Sequence, residues 1–151
     1  MKQLFALLVL FLIFQIVLNS NLLSSANKKL LQALTKLNTI SNGQSLTSLN
    51  KGYYAKVQDD GKFAIYSTGN FNGSGSDKLI WAASTVMWGA APYLLKMQED
   101  GNLVLSDARN SVIWSSGVHN VGKAPYMVVM QDNGSLVVYD STPAAIWQSP
   151  L

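Results

Sequence analysis

Met97-Gln98-Glu99-Asp100-Gly101-Asn102-Leu103-Val104-Leu105-Ser106-Asp107 is the stretch that decides the fold, because altered copies of it stand on both sides. Upstream is Val57-Gln58-Asp59-Asp60-Gly61-Lys62-Phe63-Ala64-Ile65-Tyr66, and downstream is Met130-Gln131-Asp132-Asn133-Gly134-Ser135-Leu136-Val137-Val138-Tyr139-Asp140. Each copy runs Gln, two acidic or amide residues, Gly, then alternating apolar residues. Each is followed by an Ile-Trp pair: Ile80-Trp81, Ile113-Trp114 and Ile146-Trp147. The three Trp are 33 residues apart, as are Gln98 and Gln131; Gln58 to Gln98 is 40, which places an insertion around Asn70 to Asp77. A fixed period of this size means one structural unit used three times.

The unit reads as a β-hairpin. A three-residue loop of type I turn plus left-handed residue needs Gly in its third place, and Gly61, Gly101 and Gly134 supply it. Gln98 then lies across from Asn102, and side chains alternate outward from there. Leu95, Met97, Leu103 and Leu105 share one face, the core face. Gln98, Asn102, Val104 and Ser106 share the other. The same register buries Ala55, Val57, Phe63 and Ile65 in the first copy and turns Gln58, Lys62, Ala64 and Tyr66 outward. In the third it buries Val128, Met130, Leu136 and Val138 and presents Gln131, Ser135, Val137 and Tyr139. A slip by one residue would invert every face, so three agreeing copies support this register. From Asn38 on, short alternations punctuated by Gly, Asn, Ser and Asp predict an all-β domain.

Three Trp in one protein could form a platform for sugar rings. Their equivalent places in the repeats favour the core instead: copies meeting about a pseudo-threefold axis would bury about 150 Å² or more of each. Trp88 is unrepeated and unassigned.

The 151 residues allow one domain, two at most. Lys2 followed by the run Leu4 to Leu18, with Ser24-Ser25-Ala26 at cleavage positions, has the layout of a secretory signal peptide over residues 1–26. An uncleaved anchor is the rival, but a span needs about 20 apolar residues. After cleavage no membrane span is expected, and the protein is expected outside the cell. Residues 27–37 place Leu30, Leu31, Leu34 and Leu37 at helical spacing, which fits a spacer, a pro-segment or a short amphipathic helix. The repeats then occupy residues 38–151. There is no Cys, so core and hydrogen bonds alone must hold the fold although the secretory route permits disulfides. With the leader removed, ten Lys plus Arg face eight Asp plus Glu. These are scattered, without the basic stripe of a nucleic-acid binder.

Gln98, Asp100 and Asn102 surround one patch of the hairpin, with Val104 beside them. Amide and carboxylate oxygens accept from sugar hydroxyls, amide NH₂ groups donate to them, and a small apolar residue packs against ring C–H groups. Such a patch is shallow and weak, yet polar partners discriminate between epimers. The competing view is that these are ordinary hairpin residues, since Asp, Asn and Gly dominate turns. For Asp100-Gly101 alone that view would win; the Gln four residues ahead of the second amide makes it less adequate.

Gln98-x-Asp100-x-Asn102-x-Val104-x-Ser106 resembles the Q-x-D-x-N-x-V-x-Y signature of the bulb-type, or monocot mannose-binding, lectins. The resemblance extends from Asn38 to Leu151 and includes the opening Asn38-Thr39-Ile40-Ser41-Asn42-Gly43-Gln44-Ser45-Leu46. It implies a β-prism II fold, three four-stranded antiparallel sheets about a pseudo-threefold axis. It also implies recognition of mannose-containing glycans or glycoproteins, with Asp and Asn on O2, Gln on O3 and Tyr on O4. On this pattern the middle copy is the main site (Gln98, Asp100, Asn102, Val104, with Ser106 in the Tyr place). A weaker site has Gln58, Asp60 and Tyr66, but Lys62 for Asn and Ala64 for Val. A third keeps Gln131, Val137 and Tyr139, with Asn133 for Asp and Ser135 for Asn. Pairing into a homodimer by exchange of C-terminal strands is a further implication, with Trp147-Gln148-Ser149-Pro150-Leu151 as the segment exchanged.

Two sequons, Asn72-Gly73-Ser74 and Asn133-Gly134-Ser135, could carry glycan in a secreted eukaryotic protein, and a glycan on Asn133 would cover the third site. The single His119 lies in a connector, and no Cys is available for a thiol nucleophile or zinc cluster. No spacing suggests a nucleophile elbow, and Asp60 and Asp100 fall in different repeats. The sequence therefore predicts a binding protein, not an enzyme, with no metal or other cofactor. The alternative is a lectin-like scaffold whose eroded sites leave it acting through protein contacts; a membrane-active role for residues 27–37 is a third.

Overall fold

The computed structural model describes residues 39–69, 76–83 and 89–150. The leader over residues 1–26, the segment 27–37, the Asn72 sequon and Trp88 lie outside them. Regular structure among the described residues is all strand: β1 (Thr39–Ser41), β2 (Ser45–Thr47), β3 (Tyr53–Val57), β4 (Phe63–Ser67), β5 (Lys78–Ala82), β6 (Leu94–Met97), β7 (Leu103–Ser106), β8 (Val112–Ser115), β9 (Met127–Met130), β10 (Leu136–Tyr139) and β11 (Ala145–Gln148). Among those residues no helix is long and apolar enough to cross a membrane.

The strands form three antiparallel sheets, ordered β2-β3-β4-β5, β1-β6-β7-β8 and β11-β10-β9. Each holds one repeat. The second takes its fourth strand from the start of the chain, where Ile40 pairs with Leu95. The third has three strands among the described residues, one fewer than expected, because no described segment lies along the free edge of β9. The C-terminal strand β11 pairs with β10 of its own chain, Val138 opposite Trp147.

The register is the one the alternation requires. Met97 lies opposite Leu103 and Leu95 opposite Leu105, and all four are buried in a core shared by the three sheets. Phe63 and Ile65 from β4 and Leu136 and Val138 from β10 meet them there. Each such side chain contributes about 1.5–3 kcal/mol on burial.

The Ile-Trp pairs have a common physical origin. Each sheet carries one register shift, between Ile65 and Tyr66, Leu105 and Ser106, and Val138 and Tyr139. Trp81, Trp114 and Trp147 sit opposite the first residue of each shift, while Leu79, Val112 and Ala145 sit opposite the second. Ile80, Ile113 and Ile146 are thus the extra residues of three β-bulges. A bulge interrupts the strict alternation of faces, so Ile and Trp, though adjacent, both pack against the core. The three indoles meet edge to face around the axis, with centroids 5.9, 6.5 and 5.8 Å apart. They are half-buried, less enclosed than a central position suggested, but they close the core as expected.

A second threefold feature fixes the hairpin tips. The loop glycines have φ of +83°, +88° and +92°, and a Cβ on them would come within 2.8 Å of Tyr93, 3.0 Å of Tyr126 and 2.9 Å of Tyr53 respectively. Each ring belongs to the next repeat, so the three hairpins interlock cyclically. Glycine is required here twice over, for the left-handed backbone and for the space the ring occupies.

Candidate functional site

The hairpin loops form as the turn chemistry predicts. In the middle copy Gln98 N–H donates to the Asn102 carbonyl at 2.9 Å and Gly101 N–H to the Gln98 carbonyl at 3.2 Å; the outer copies repeat both bonds. The residue before each glycine closes an Asx turn. Asp60 Oδ1 accepts from Lys62 N–H at 3.0 Å, Asp100 Oδ1 from Asn102 N–H at 2.9 Å, and Asn133 Oδ1 from Ser135 N–H at 3.0 Å. One oxygen of each is therefore structural, which leaves Asp60 and Asp100 a second oxygen and Asn133 an amide NH₂.

The middle copy brings its four signature residues onto one side. Asn102 is buried, and its Oδ1 accepts from Ser116 Oγ at 2.9 Å and Gly117 N–H at 3.2 Å. Its Nδ2 has no partner among the described residues, nor does the Gln98 amide. A buried donor left open is uncommon in a folded protein. Val104 is buried beneath them, opposite Lys96 and Ser115. Ser106 turns its hydroxyl back to the Leu94 carbonyl at 3.4 Å.

His119, which the sequence places in a connector, adjoins this hairpin. The connector after β8 folds over the hairpin tip: Asn120 N–H donates to the Asp100 carbonyl at 2.6 Å, and His119 Nδ1 lies 3.3 Å from Asp100 Oδ2. The Asp100 carboxyl is held below the usual carboxylate range, first by the Asn102 N–H and, against the opposing effect of burial, by His119. Asp100 is therefore ionised at neutral pH and offers an acceptor at the rim.

The first copy is built differently. Gln58 Nε2 donates to the Tyr66 hydroxyl at 3.0 Å, and Tyr66 stacks on Tyr54 with centroids 5.3 Å apart. Lys62 Nζ lies 6.0 Å from the Tyr66 ring centre, over its face. Tyr54 donates to Asp77 at 2.7 Å; burial and that carboxylate push its hydroxyl up to about 12. Ala64, expected to face outward and open, is fully buried. The Gln and Tyr of this copy are thus engaged with each other and with an aromatic and cationic surround.

The third copy is closed. Val137 and Tyr139, expected to be presented outward, are 1 % and 8 % exposed and form a small cluster with Met127 and Val129. Ser135 is fully buried and accepts from Gln148 Nε2 at 3.0 Å, while Gln131 Nε2 donates to the Tyr139 hydroxyl. Asp132 is tied down by the Asn50 backbone N–H at 2.8 Å. The outward register is right, but an apolar neighbour, Val129 in place of Lys56 and Lys96, covers the face.

Among the described residues no group of three or more His, Cys, Asp or Glu could hold a metal. The tyrosines that lock the hairpins were missed by sequence reasoning; their signal was the repeated Ala-Pro-Tyr at 91–93 and 124–126, matched by Gly52-Tyr53.

A family model described as D-mannose binding lectin matches residues 81–150. A monomeric monocot mannose-binding lectin from Gastrodia elata is 30 % identical, with a TM-score of 0.60 over 73 % of this chain and 87 % of that one. A lectin of Marasmius oreades is 27 % identical, with a TM-score of 0.59 over 74 % of this chain and 83 % of that one. An Acanthamoeba polyphaga mimivirus protein described as a candidate lectin is 31 % identical over 74 residues, 49 % of this chain; the match spans only 33 % of that protein's length. With the thrice-repeated hairpin, the tryptophan-lined β-prism II and these relatives in place, the chain belongs to the bulb-type, D-mannose binding lectin family.

Proposed function

We propose that this protein is a carbohydrate-binding lectin, not an enzyme, which takes mannose or mannose-ended glycans at the middle hairpin. The observation that carries this reading is the pairing of two amide NH₂ groups without partners among the described residues, those of Gln98 and Asn102, with the ionised Asp100 on one side of a rigid turn. Together they offer donors and an acceptor to adjacent hydroxyls over the small apolar Val104. The first hairpin is a weaker site, since Lys62 removes an amide and Tyr66 already occupies Gln58. The third is a scaffold position; engagement of Gln131 by Tyr139 and of Ser135 by Gln148 favours, for that copy, the alternative of an eroded site.

Calorimetric titration with methyl α-mannoside tests the assignment. Asp100→Ala is expected to weaken binding at least tenfold, and Asp60→Ala by less than threefold, since a hydrogen bond to a charged group contributes about 1.5–3 kcal/mol. Equal binding by wild type and Asp100→Ala would overturn it. A secreted location is part of the same proposal and rests on Lys2 and the apolar run Leu4 to Leu18. N-terminal sequencing of exported protein should find a chain that begins near Asn27, and a mature chain beginning at Met1 would refute it. A shallow site of this kind gains strength through multiple copies.

A further inference from the structure

We propose that the middle hairpin has a second subsite on its Ser106 side, which takes the next sugar ring of a mannose-ended oligosaccharide; this rests on the mannose reading of the hairpin itself. The three copies make the case by internal comparison. In the first and third, a tyrosine at this position fills the outer face and spends its hydroxyl on the neighbouring Gln amide. In the middle copy the smaller Ser106 stands there instead, its hydroxyl turned to the Leu94 carbonyl, beside a Gln98 amide that nothing among the described residues engages.

The residues around Ser106 suit a pyranose. Leu94 lies across from Ser106 on β6 and Val112 on β8, so a small residue is flanked by two apolar ones. Val112, on the edge strand β8, is 64 % exposed, so its apolar surface is open to a ligand. Gln98 and the exposed Lys96 supply donors at the edge nearest Asp100. A shallow apolar strip with a few polar groups along one side is the composition that binds a sugar ring, whose C–H faces need the first and whose hydroxyls need the second. In the first copy Tyr54, Tyr66 and Leu79 occupy the equivalent strip, and the stacked rings fill it.

Titrating the isotope-labelled full-length protein, processed as it is when exported, with methyl α-mannoside and with α-linked mannobioses tests this by NMR and calorimetry. At least one mannobiose should bind about five- to tenfold tighter than the monosaccharide. The Ser106 and Val112 amides should shift with that disaccharide and not with the monosaccharide. Ser106→Tyr should abolish the gain, read as the ratio of mannobiose to methyl mannoside affinity. Val112→Ser, at an exposed position, should halve the gain or more and guards against misfolding of the first variant. Equal affinity for mono- and disaccharides, or an undiminished gain in both variants, would overturn the subsite. Absence of any shift at Asp100 and Asn102 with either sugar would instead overturn the mannose reading, and the subsite with it.

Discussion

Gln98 and Gln131 occupy the same place in two hairpins of the same backbone geometry, yet their amides meet opposite fates. Gln131 is satisfied by Tyr139 and stands beside Val137 in a covered apolar cluster. The Gln98 amide, with Ser106 in the tyrosine place, has no partner among the described residues. The difference shows that the turn is the shared part of the unit and that its neighbours decide whether the Gln amide is engaged. A tyrosine next to the Gln and a valine across the strand close a face; a serine and a lysine open it.

Four measurements bear on this contrast. The largest effect should come where the two hairpins are alike. Gly101→Ala and Gly134→Ala should each destabilise by roughly 2–4 kcal/mol in urea unfolding, from the left-handed backbone and the tyrosine ring that fills the Cβ position. A cost at one and not the other would break the equivalence. Next, Asn133→Asp, which restores a carboxylate to the closed hairpin, should leave mannoside affinity unchanged within about twofold, since Tyr139 still engages the Gln131 amide and Val129 still packs over the face. Smaller still, Tyr139→Ser together with Val129→Lys should open the third hairpin and add weak mannoside-induced shifts at Gln131, seen by NMR.

The smallest effect concerns pH. Asp107 and Asp140 are buried at equivalent turns. Burial, the largest influence, raises their carboxyls, but Ser111, Arg109 and Ala90 N–H groups outweigh it at Asp107; at Asp140 the Thr142 hydroxyl and the Thr142, Lys123 and Ala144 N–H groups do so. Both carboxyls therefore lie below the usual value. Their stabilisation is present above about pH 4, the unfolded value, and is lost as pH falls through the lowered folded value. Asp107→Asn and Asp140→Asn should lower the melting temperature at pH 7, and the deficit should shrink toward pH 2.

Much of the site was legible because alternation and turn chemistry are local. Asp100, Asn102 and Gln98 had to share a side once Gly101 set the loop, and the structure places them so. The role of Ile80, Ile113 and Ile146 was not legible. A bulge depends on how one strand registers with another, and nothing in Ile-Trp alone says that both side chains turn inward. Nor could the chain announce that His119, nineteen residues beyond Asp100, returns to its carboxylate, since a connector's path is decided by what it packs on.

From its residues alone this protein was determined to be a threefold β structure with glycine-bearing hairpins, an apolar inner face and a tryptophan at each repeat, because spacing and polarity act within a few residues. Which outer faces stay open was decided only by folding. Burial of Ala64, Val137 and Tyr139 depends on side chains from neighbouring strands, and the cyclic packing of Tyr93, Tyr126 and Tyr53 on the hairpin glycines depends on all three repeats closing together. Accessibility belongs to the assembled surface and not to any one stretch of chain.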